Sequence, residues 1–237
     1  MKIIIVRHGD PNYAIDSLTM KGRREAKLLV RKIESLKPDY FYCSPLGRAR
    51  KTASYTLKKL KAECEIMPWL TEFEGRVPEN GGEQVCWDRM PSYWTNEDIY
   101  YTDKWYEAPL MKELDVKSKY DAVCRGIDEL LSKHGYTHEG RHYKVTYSNH
   151  DTIVLFCHFG VEAVLLSHII GISPMVLWHN FVAAPSSVTT VVSEEREKGY
   201  ATFRVMSFGD TGHLYSGGDE PAFAARFCEC FEDKTRH

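Results

Sequence analysis

Residues 2–9 of the chain have the sequence KIIIVRHG. The four consecutive apolar residues, Ile3 to Val6, predict a strand that is buried on both faces of a sheet. A charged side chain, Arg7, and an imidazole, His8, come directly after this strand. Because ligands of open α/β sheets bind at the carboxyl ends of strands, we expect both side chains to lie in a binding site.

Predicted strands and helices alternate along most of the chain. Thr19 is a candidate N-cap for a first helix that Pro38 ends, and Ser44-Pro45 opens a second helix. Further strands are predicted at 39–43, 65–67, 152–157, 187–192 and 201–205, and further helices at 117–133 and 160–170. This order predicts an α/β fold, a three-layer sandwich with a largely parallel central sheet and helices on both faces.

Residues from about 76 to 115 interrupt the alternation with prolines, glycines and three tryptophans, Trp87, Trp94 and Trp105. We predict that residues 1–237 form a single domain in which this insertion makes a helical, aromatic cap subdomain. Two compatible interpretations of the aromatic residues stay open. They can form a core of their own, or they can form a lid that selects the leaving group of a substrate.

Composition and charge narrow the class of protein. The chain has 237 residues, 43% hydrophobic and 27% charged, as in an ordinary globular domain. The formal net charge of -2 gives no reason to expect nucleic acid or an anionic membrane as a partner. Seven scattered cysteines, with no signal peptide or membrane span in the sequence, predict reduced thiols and a cytoplasmic protein. The sequence makes no prediction of the oligomeric state.

Three polar segments follow predicted strands, at residues 7–9, 44–48 and 158–160, and are therefore expected to converge. Together they offer two guanidiniums, two imidazoles and the N–H groups of a helix start. Arginine binds phosphate in a bidentate way, and helix N-termini attract anions. A neutral imidazole is also a competent nucleophile toward phosphorus. The set predicts a site for a small phosphorylated substrate, and no cofactor is expected.

These segments resemble the motifs of the histidine phosphatase superfamily, in particular its phosphoglycerate mutase-like branch. The similar motifs are, in chain order, RHG at 7–9, LTMKG at 18–22, SPLGRARKTA at 44–53, LTE at 70–72, HFG at 158–160 and FGDTGHL at 208–214. Lys51 and Phe159 stand where Gln and Gly are common in the family. The resemblance covers nearly all of the chain except the insertion.

The resemblance implies a phosphatase, a phosphomonoesterase that works through a phosphohistidine. His8 would be the phosphorylated nucleophile, and Glu72 would protonate the leaving group and later activate water. His158 would help to stabilise charge in the transition state. The phosphate-binding residues would be Arg7, Arg48, His158, Phe159 and Asn12.

Two of these assignments have rivals in the sequence. Glu74 competes with Glu72 as the proton donor, because residues two apart share a face of an extended segment. Many relatives carry Asn six residues after the nucleophile, but Ala14 occupies that position here. Asn12 is therefore a candidate phosphate contact in its place.

Two other functions are ranked below hydrolysis. A phosphoglycerate mutase-type phosphotransferase ranks second, because the sequence FEGRV at 73–77 does not resemble the motif that mutases carry after the donor glutamate. An inactive phosphate-binding scaffold ranks third, because the nucleophile, clamp and acid are all present. The acid phosphatase and phytase branch is disfavoured, because the RHGDP motif at 7–11 lacks the further arginine of that branch.

Four histidines, His134, His138, His142 and His150, raise the question of a metal site. The first three are spaced by four residues, as on one face of a helix. Gly135 and Gly140 make a continuous helix there improbable. We therefore predict no metal site.

Overall fold

The structure is a computed structural model that describes residues 1–79, 82–113, 115–224, 226–233 and 235. Its strands are β1 (Lys2–Arg7), β2 (Pro11–Asn12), β3 (Ser17–Leu18), β4 (Tyr40–Cys43), β5 (Glu65–Ile66), β6 (Arg76–Glu79), β7 (Gly82–Val85), β8 (Tyr136–Glu139), β9 (His142–Val145), β10 (Thr152–Cys157), β11 (Val188–Glu197) and β12 (Tyr200–Asp210). Its helices are α1 (Met20–Ser35), α2 (Gly47–Leu60), α3 (Pro91–Trp94), α4 (Pro109–Lys112), α5 (Val116–Lys133), α6 (Phe159–Ile170), α7 (Pro174–Asn180) and α8 (Gly212–Ser216). Within these ranges, no helix has the length and apolar character needed to cross a membrane.

The central sheet has the predicted parallel core. Among the described residues it has eight strands, in the order β5-β4-β10-β1-β11-β12-β9-β8. The pairs β1–β10, β10–β4 and β4–β5 are parallel. The pairs from β1–β11 outward are antiparallel, so the sheet as a whole is mixed. The parallel half carries the three strands that the predicted site follows.

Helices cover both faces of the sheet, as the alternation predicts. Ile4 and Val6 of β1 belong to a hydrophobic cluster with α1 and α2, whereas Ile3 and Ile5 belong to a second cluster with α5, α6 and α7. All four side chains are 0% exposed. Burial of each contributes about 1.5–3 kcal/mol. β1 is therefore fixed from both sides, and so is the start of the loop that follows it.

The two helices of the first half begin in different ways. Thr19 caps α1 as predicted, because its side chain accepts the N–H of Gly22 at 3.0 Å. α2 begins at Gly47, later than the predicted opening at Ser44-Pro45. Its cap comes from another part of the chain, since Asp16 Oδ2 accepts the N–H of Gly47 at 2.6 Å. The start of α2 is thereby tied to the loop after β1.

A hairpin of β8 and β9 extends the antiparallel half of the sheet and was not predicted. Gly140 at its tip has a φ of +65°, which favours glycine. β9 pairs with β12, which continues to Asp210, beyond the predicted end at residue 205. The hairpin lies between α5 and β10, where no strand or helix was predicted.

The segment from about 76 to 115, predicted to be a cap subdomain, contains the hairpin β6–β7 and the short helices α3 and α4. Its aromatic side chains contact the main body of the protein. Trp105 packs edge-on against Trp178 of α7, with ring centroids 5.4 Å apart, and against Tyr120 of α5 at 5.5 Å. Trp94 stacks on His179 at 4.9 Å. These contacts hold the segment against α5 and α7.

Candidate active site

Residues from distant parts of the sequence meet at the carboxyl edge of the parallel strands. β1 lies beside β10, and β10 lies beside β4, with all three strands parallel. His8, His158 and Ser44 are the first residues after these strands. The ring centroids of His8 and His158 are 5.1 Å apart. The predicted convergence of the three polar segments is therefore observed.

The imidazole of His8 is oriented by a backbone contact. Its Nδ1 lies 2.7 Å from the carbonyl oxygen of Gly9, so Nδ1 carries the proton and donates it. Nε2 has no hydrogen-bond partner among the described residues, and it is not sealed from solvent. Desolvation, together with the charges of Arg7 and Arg48, lowers the pKa of His8 well below its usual 6.5. The ring is therefore neutral near pH 7, with a free lone pair on Nε2.

His158 is held in place by Ser44. Its Nε2 lies 2.7 Å from Ser44 Oγ, and the same oxygen accepts the N–H of Leu46 at 3.2 Å. The hydroxyl proton of Ser44 can therefore be donated to Nε2, which leaves the proton of His158 on Nδ1. That Nδ1 is buried without a hydrogen-bond partner. Burial, with the neighbouring His8 and Arg48, lowers the pKa of His158 well below 6.5, so this ring is also neutral.

Two guanidinium groups lie beside the histidines. Arg7 is 5% exposed, and its Nη1 donates to the carbonyl of Ala183 at 2.6 Å. Arg48, in the first turn of α2, pairs with Asp16 through Nη1 and Oδ1 at 2.8 Å. The Nε of each arginine is buried without a hydrogen-bond partner. Because an unpaired buried donor costs about 1–3 kcal/mol, these N–H groups suit an oxyanion that accepts from them.

Glu72 lies at the N-terminus of α6. Its Oε1 accepts the N–H of Phe73 at 2.8 Å and the N–H of Val161 at 3.2 Å. Gly160 makes room for the carboxylate, because a Cβ at that residue would lie 2.6 Å from Glu72 Oε1. Desolvation raises the pKa of Glu72, against the opposing effects of the Phe73 N–H and of Arg7. A carboxyl with a raised pKa, close to Arg7 and Arg48, is suited to give and take a proton.

Residues 3–205 match the histidine phosphatase superfamily (branch 1). The chain belongs to this superfamily. The match runs from β1 into β12, so it includes every segment that forms the site. It confirms the resemblance seen in the motifs and the expected class of enzyme, a phosphatase.

Known relatives of this histidine phosphatase are also phosphatases. The adenosylcobalamin/alpha-ribazole phosphatase of Salmonella typhi is 25% identical over 222 residues, which cover 87% of this chain and 96% of that protein. Phosphoserine phosphatase from Entamoeba histolytica, solved in complex with phosphoserine, has a similar fold, with a TM-score of 0.62, 17% identity and coverage of 90% and 98% of the two chains. A mycobacterial glucosyl-3-phosphoglycerate phosphatase gives a TM-score of 0.60, with 14% identity and coverage of 89% and 99%.

Most of the predicted residues of the superfamily site lie together. The side chains gathered at the edge of the sheet are His8, His158, Arg7, Arg48 and Glu72. Phe159 is the first residue of α6, where backbone N–H groups lack partners within the helix. Its ring is buried, with the guanidinium carbon of Arg7 5.8 Å from the ring centroid.

Glu72 and Glu74, the two candidates for the proton donor, lie in different surroundings. Glu74 is exposed, and its carbonyl oxygen accepts from Lys119. Glu72 is the one of the two glutamates whose carboxylate contacts the start of α6. Asn12 is engaged locally, because its Oδ1 accepts the N–H of Ala14 at 3.2 Å.

Three residues that fix the loop after His8 were not predicted: Asp16, Thr52 and Glu25. Thr52 Oγ1 accepts the N–H of Gly9 at 3.0 Å, and Glu25 Oε2 accepts the N–H of Asp10 at 2.7 Å. Thr52 and Glu25 are both 0% exposed. A polar residue on the buried face of a helix was the signal in the sequence, since Glu25 precedes Leu29 by one helical turn.

Glu162 is a further buried carboxyl beside the site that was not predicted. It lies in the first turn of α6 and is 1% exposed. Desolvation raises its pKa to about 7, although the nearby Thr189 hydroxyl and the charge of Arg7 act in the opposite direction. Its acidic side chain in an otherwise apolar helix was the available signal.

The four histidines considered for a metal site do not assemble with one another. His134 contacts Asp151 and the hydroxyl of Tyr42, and His142 stacks on Tyr200. Within the described ranges, the group of possible metal ligands contains His138 alone of the four. Gly135 and Gly140 have positive φ values, so the chain turns there, as predicted.

Proposed function

We propose that this histidine phosphatase hydrolyses small phosphomonoesters through a covalent phosphohistidine on His8. In this proposal Glu72 is the acid and base, and the phosphoryl oxygens are bound by Arg7, Arg48, His158 and the backbone N–H of Phe159. Small phosphorylated molecules occur in structures of its relatives. The Entamoeba histolytica enzyme has been solved with phosphoserine and with 3-phosphoglyceric acid.

The observation that carries the proposal is the grouping of unpaired donors around the imidazole of His8. Nε of Arg7, Nε of Arg48 and Nδ1 of His158 are buried and have no hydrogen-bond partner. All three side chains lie close to His8. The charges of Arg7 and Arg48 lower the pKa of His8, and His8 in turn lowers the pKa of His158. A phosphoryl group in transfer carries charge on three equatorial oxygens, which can accept from these donors.

In the first step the lone pair of His8 Nε2 forms a bond to phosphorus, while the bond from phosphorus to the ester oxygen breaks. The ring becomes positively charged, and the carbonyl of Gly9 stabilises that charge through its contact with Nδ1–H. Glu72 gives its proton to the departing oxygen, so that an alcohol leaves. The arginines and His158 stabilise the charge on the phosphoryl oxygens.

In the second step a water molecule attacks the phosphorus atom of the phosphohistidine. The Glu72 carboxylate, ionised by the first step, takes a proton from this water. The bond between phosphorus and nitrogen breaks, and its electron pair returns to His8 Nε2. Inorganic phosphate leaves, and the protonated Glu72 and neutral His8 are restored.

Turnover of an aryl phosphate at mildly acidic pH, with a chelator present, tests the proposal. We expect hydrolysis by the native chain and a loss of at least about a thousandfold in His8→Ala, because that variant lacks the nucleophile. Turnover that is unchanged in His8→Ala would contradict the proposal.

The other two functions give different results in matched assays. A mutase would interconvert phosphoglycerates in the presence of a bisphosphate primer and release little phosphate. An inactive module would bind phosphate esters tightly without any turnover. Release of phosphate from several esters, with no primer requirement, separates hydrolysis from both.

We also propose that the 76–115 segment acts as a cap over the site. Trp87 supports this proposal, because its ring lies edge-on to Phe159 at 6.0 Å and its Nε1 donates to the carbonyl of Phe73 at 2.9 Å. The segment thus contacts both the start of α6, at Phe159, and the loop that carries Glu72. Trp87→Ala is expected to change the relative kcat/KM values for esters with different leaving groups by more than about tenfold. Unchanged ratios would contradict a role in selection.

A cytoplasmic location is part of the same proposal. Every cysteine of the chain falls within the described ranges, and none forms a disulfide. Cys43, Cys86 and Cys157 are buried thiols, as is usual in a reducing compartment. Recovery of the protein in the membrane or secreted fraction of its cells would contradict this location.

A further inference from the structure

A second cluster of chemically active side chains lies at the other end of α6. It consists of Asp128 on α5, His138 on β8 and His168 near the end of α6. His168 Nε2 lies 2.9 Å from Asp128 Oδ1, and His138 Nδ1 lies 3.4 Å from Asp128 Oδ2. The centroids of the two imidazole rings are 4.5 Å apart. Three separate elements therefore direct one potential ligand atom each to the same point.

The spacing of these atoms fits a tetrahedral metal ion. The three ligand atoms lie within 4.8 Å of one another. Nitrogen and oxygen ligands bind zinc at about 2.1 Å, so neighbouring ligand atoms of a tetrahedral zinc lie about 3.4 Å apart. His168 Nε2 lies 2.9 Å from Asp128 Oδ1, and His138 Nδ1 lies 3.4 Å from the second carboxylate oxygen, Oδ2. A rotation of the carboxylate and of the imidazoles would bring one oxygen and two nitrogens to the tetrahedral spacing.

The surroundings of the cluster provide access from solvent. The side chains of His168, His138 and Asp128 are 15%, 22% and 30% exposed. Both histidines line a cavity of about 490 Å³. Tyr143 also lines it, and the Tyr143 hydroxyl is buried without a hydrogen-bond partner. Water in this cavity can fill the remaining position of a metal that has three protein ligands.

Although the spacing of the histidines in the sequence predicted no metal site, we propose that Asp128, His138 and His168 form a zinc site. Two imidazoles and a carboxylate favour zinc over magnesium or calcium, which prefer oxygen ligands alone. His168 and Phe159 are at opposite ends of α6, which separates the site from the phosphoryl site by about 14 Å along the helix axis. The ion therefore takes no part in phosphoryl transfer. It joins α5, α6 and the β8–β9 hairpin and stabilises their packing.

Zinc titration of the full-length, untagged chain tests this site, after removal of metal with a chelator. Competition with a chromogenic zinc indicator should give one zinc ion per chain, and zinc should raise the thermal unfolding temperature. Magnesium and calcium should do neither. His138→Ala and His168→Ala should each weaken zinc binding by at least about a hundredfold, because even partners of ligands contribute 10- to 100-fold.

His142→Ala is the matched control, because His142 belongs to the same hairpin but stacks on Tyr200. It should bind zinc as the native chain does. Asp128→Asn is a second variant that preserves the shape of the side chain, and it should also lose affinity. Far-UV circular dichroism of each variant checks that it is folded.

Cobalt provides an independent readout of the ligand set. Cobalt bound by the native chain should show the intense visible absorption of a four-coordinate ion, and this absorption should disappear in His168→Ala. Absence of one-to-one zinc binding by the native chain would overturn the proposal, and so would native affinity in both histidine variants. Either result would mean that Asp128 only accepts a hydrogen bond from His168 and lies near His138 without binding a metal.

Discussion

The imidazole of His8 donates its Nδ1 proton to the carbonyl of Gly9, the next residue in the chain. The tautomer of this imidazole, the proposed nucleophile, is therefore set by the local path of the backbone after β1. The pKa of the ring has a different origin, because burial by the rest of the fold lowers it most and Arg7 adds to the effect. A reactive, neutral Nε2 needs both contributions.

Replacement of Glu72 by Gln tests the proton donor. In the proposed mechanism the carboxyl gives a proton to the leaving oxygen, so its loss should matter most for esters whose alcohols are poor leaving groups. We expect Glu72→Gln to lower kcat for an alkyl phosphate by about 10²- to 10⁴-fold. The loss for an aryl phosphate with an acidic phenol should be much smaller. Steady-state kinetics with the two substrates measures the difference.

Glu74→Gln is the control for this experiment. Glu74 is exposed and close by in sequence, and its variant should retain native kcat for both substrates. An equal loss for the alkyl and aryl esters in Glu72→Gln would contradict the role of a proton donor. A loss in Glu74→Gln alone would give the role to its carboxylate.

The grouping of single residues was predictable to different degrees. His8, Arg7, Arg48 and His158 occur in compact motifs that follow predicted strands, so the sequence predicted that these side chains lie together. The preference for Glu72 over Glu74 came from the motif alone, because the contact that distinguishes the two glutamates is to Val161, far along the chain. Contacts of this kind depend on the tertiary fold and leave no local pattern.

At the scale of elements, α1 supports the loop that follows His8. Glu25, buried on α1, accepts the N–H of Asp10 at 2.7 Å. Glu25→Ala removes this acceptor and should lower kcat/KM by about one to two orders of magnitude, because a displacement of about 1 Å in an active site costs roughly 10²-fold. Glu25→Gln retains an oxygen that can accept the same N–H, so it should stay within a few-fold of native activity.

Glu34→Ala, an exposed position on the same helix, controls for general effects on α1. It should keep native kcat/KM. Equal activity of Glu25→Ala and Glu25→Gln would contradict a role for the carboxyl oxygen in positioning the loop.

Glu25 also links the stability of the fold to pH. Desolvation raises its pKa from 4.5 to about 7, so folding disfavours the ionised form. The contribution of Glu25 to the free energy of unfolding should therefore be fully present below pH 4.5. It should decrease as the pH rises to about 7, by as much as about 3 kcal/mol. Glu25→Gln should lose this part of the decline in denaturant titrations between pH 5 and 8. If the unfolding free energy of Glu25→Gln fell with pH as steeply as that of the native chain, Glu25 would not be the group that causes the decline.

The boundaries of the elements were predictable where the signals are local. Thr19 caps α1 by accepting the N–H of Gly22, three residues further along, so its signal is local. β10 was predicted with its observed ends. The start of α2 was predicted too early, because its cap is Asp16, a residue outside the helix segment. The β8–β9 hairpin was missed because its pairing partner, β12, lies much later in the sequence.

At the scale of the whole molecule, the site is a set of cations and carboxyls buried together, and this sets its pH dependence. Below the lowered pKa of His8 the ring is protonated and cannot attack. Above the raised pKa of Glu72 the carboxyl has no proton to give. We therefore expect kcat/KM to rise with pH on a limb below pH 6.5 and then to fall as Glu72 ionises.

Measurement of kcat/KM against pH for the native chain and Glu72→Gln, with the same ester, separates the ionisation of the enzyme from the ionisation of the substrate. The phosphate of the ester also ionises near pH 6, but it does so equally in both experiments. The falling limb should be absent in Glu72→Gln. Its persistence would mean that another group, such as Glu162 with a pKa of about 7, controls this limb.

The architecture of the whole sheet was predicted for its parallel half only. The buried apolar runs of β1 and β10 indicate strands covered on both faces, which is typical of parallel sheets. The strands β11 and β12 were predicted, but their antiparallel direction depends on the short turn at Gly199, with a φ of +85°, and on pairing with β1. The sequence did not predict which helices the aromatic insertion contacts, because an aromatic ring can pack against any apolar surface.

The central claim is that phosphorus becomes bonded to His8 Nε2 during turnover. The direct measurement is to quench the native enzyme with alkali while it is turning over a phosphomonoester, because phosphohistidine survives alkali. The digested peptides are then examined by mass spectrometry. The account predicts one added phosphoryl group on the peptide that contains His8, and none in the His8→Ala chain. Rapid turnover with no phosphorylated peptide, or with the phosphoryl group on another residue, would contradict it.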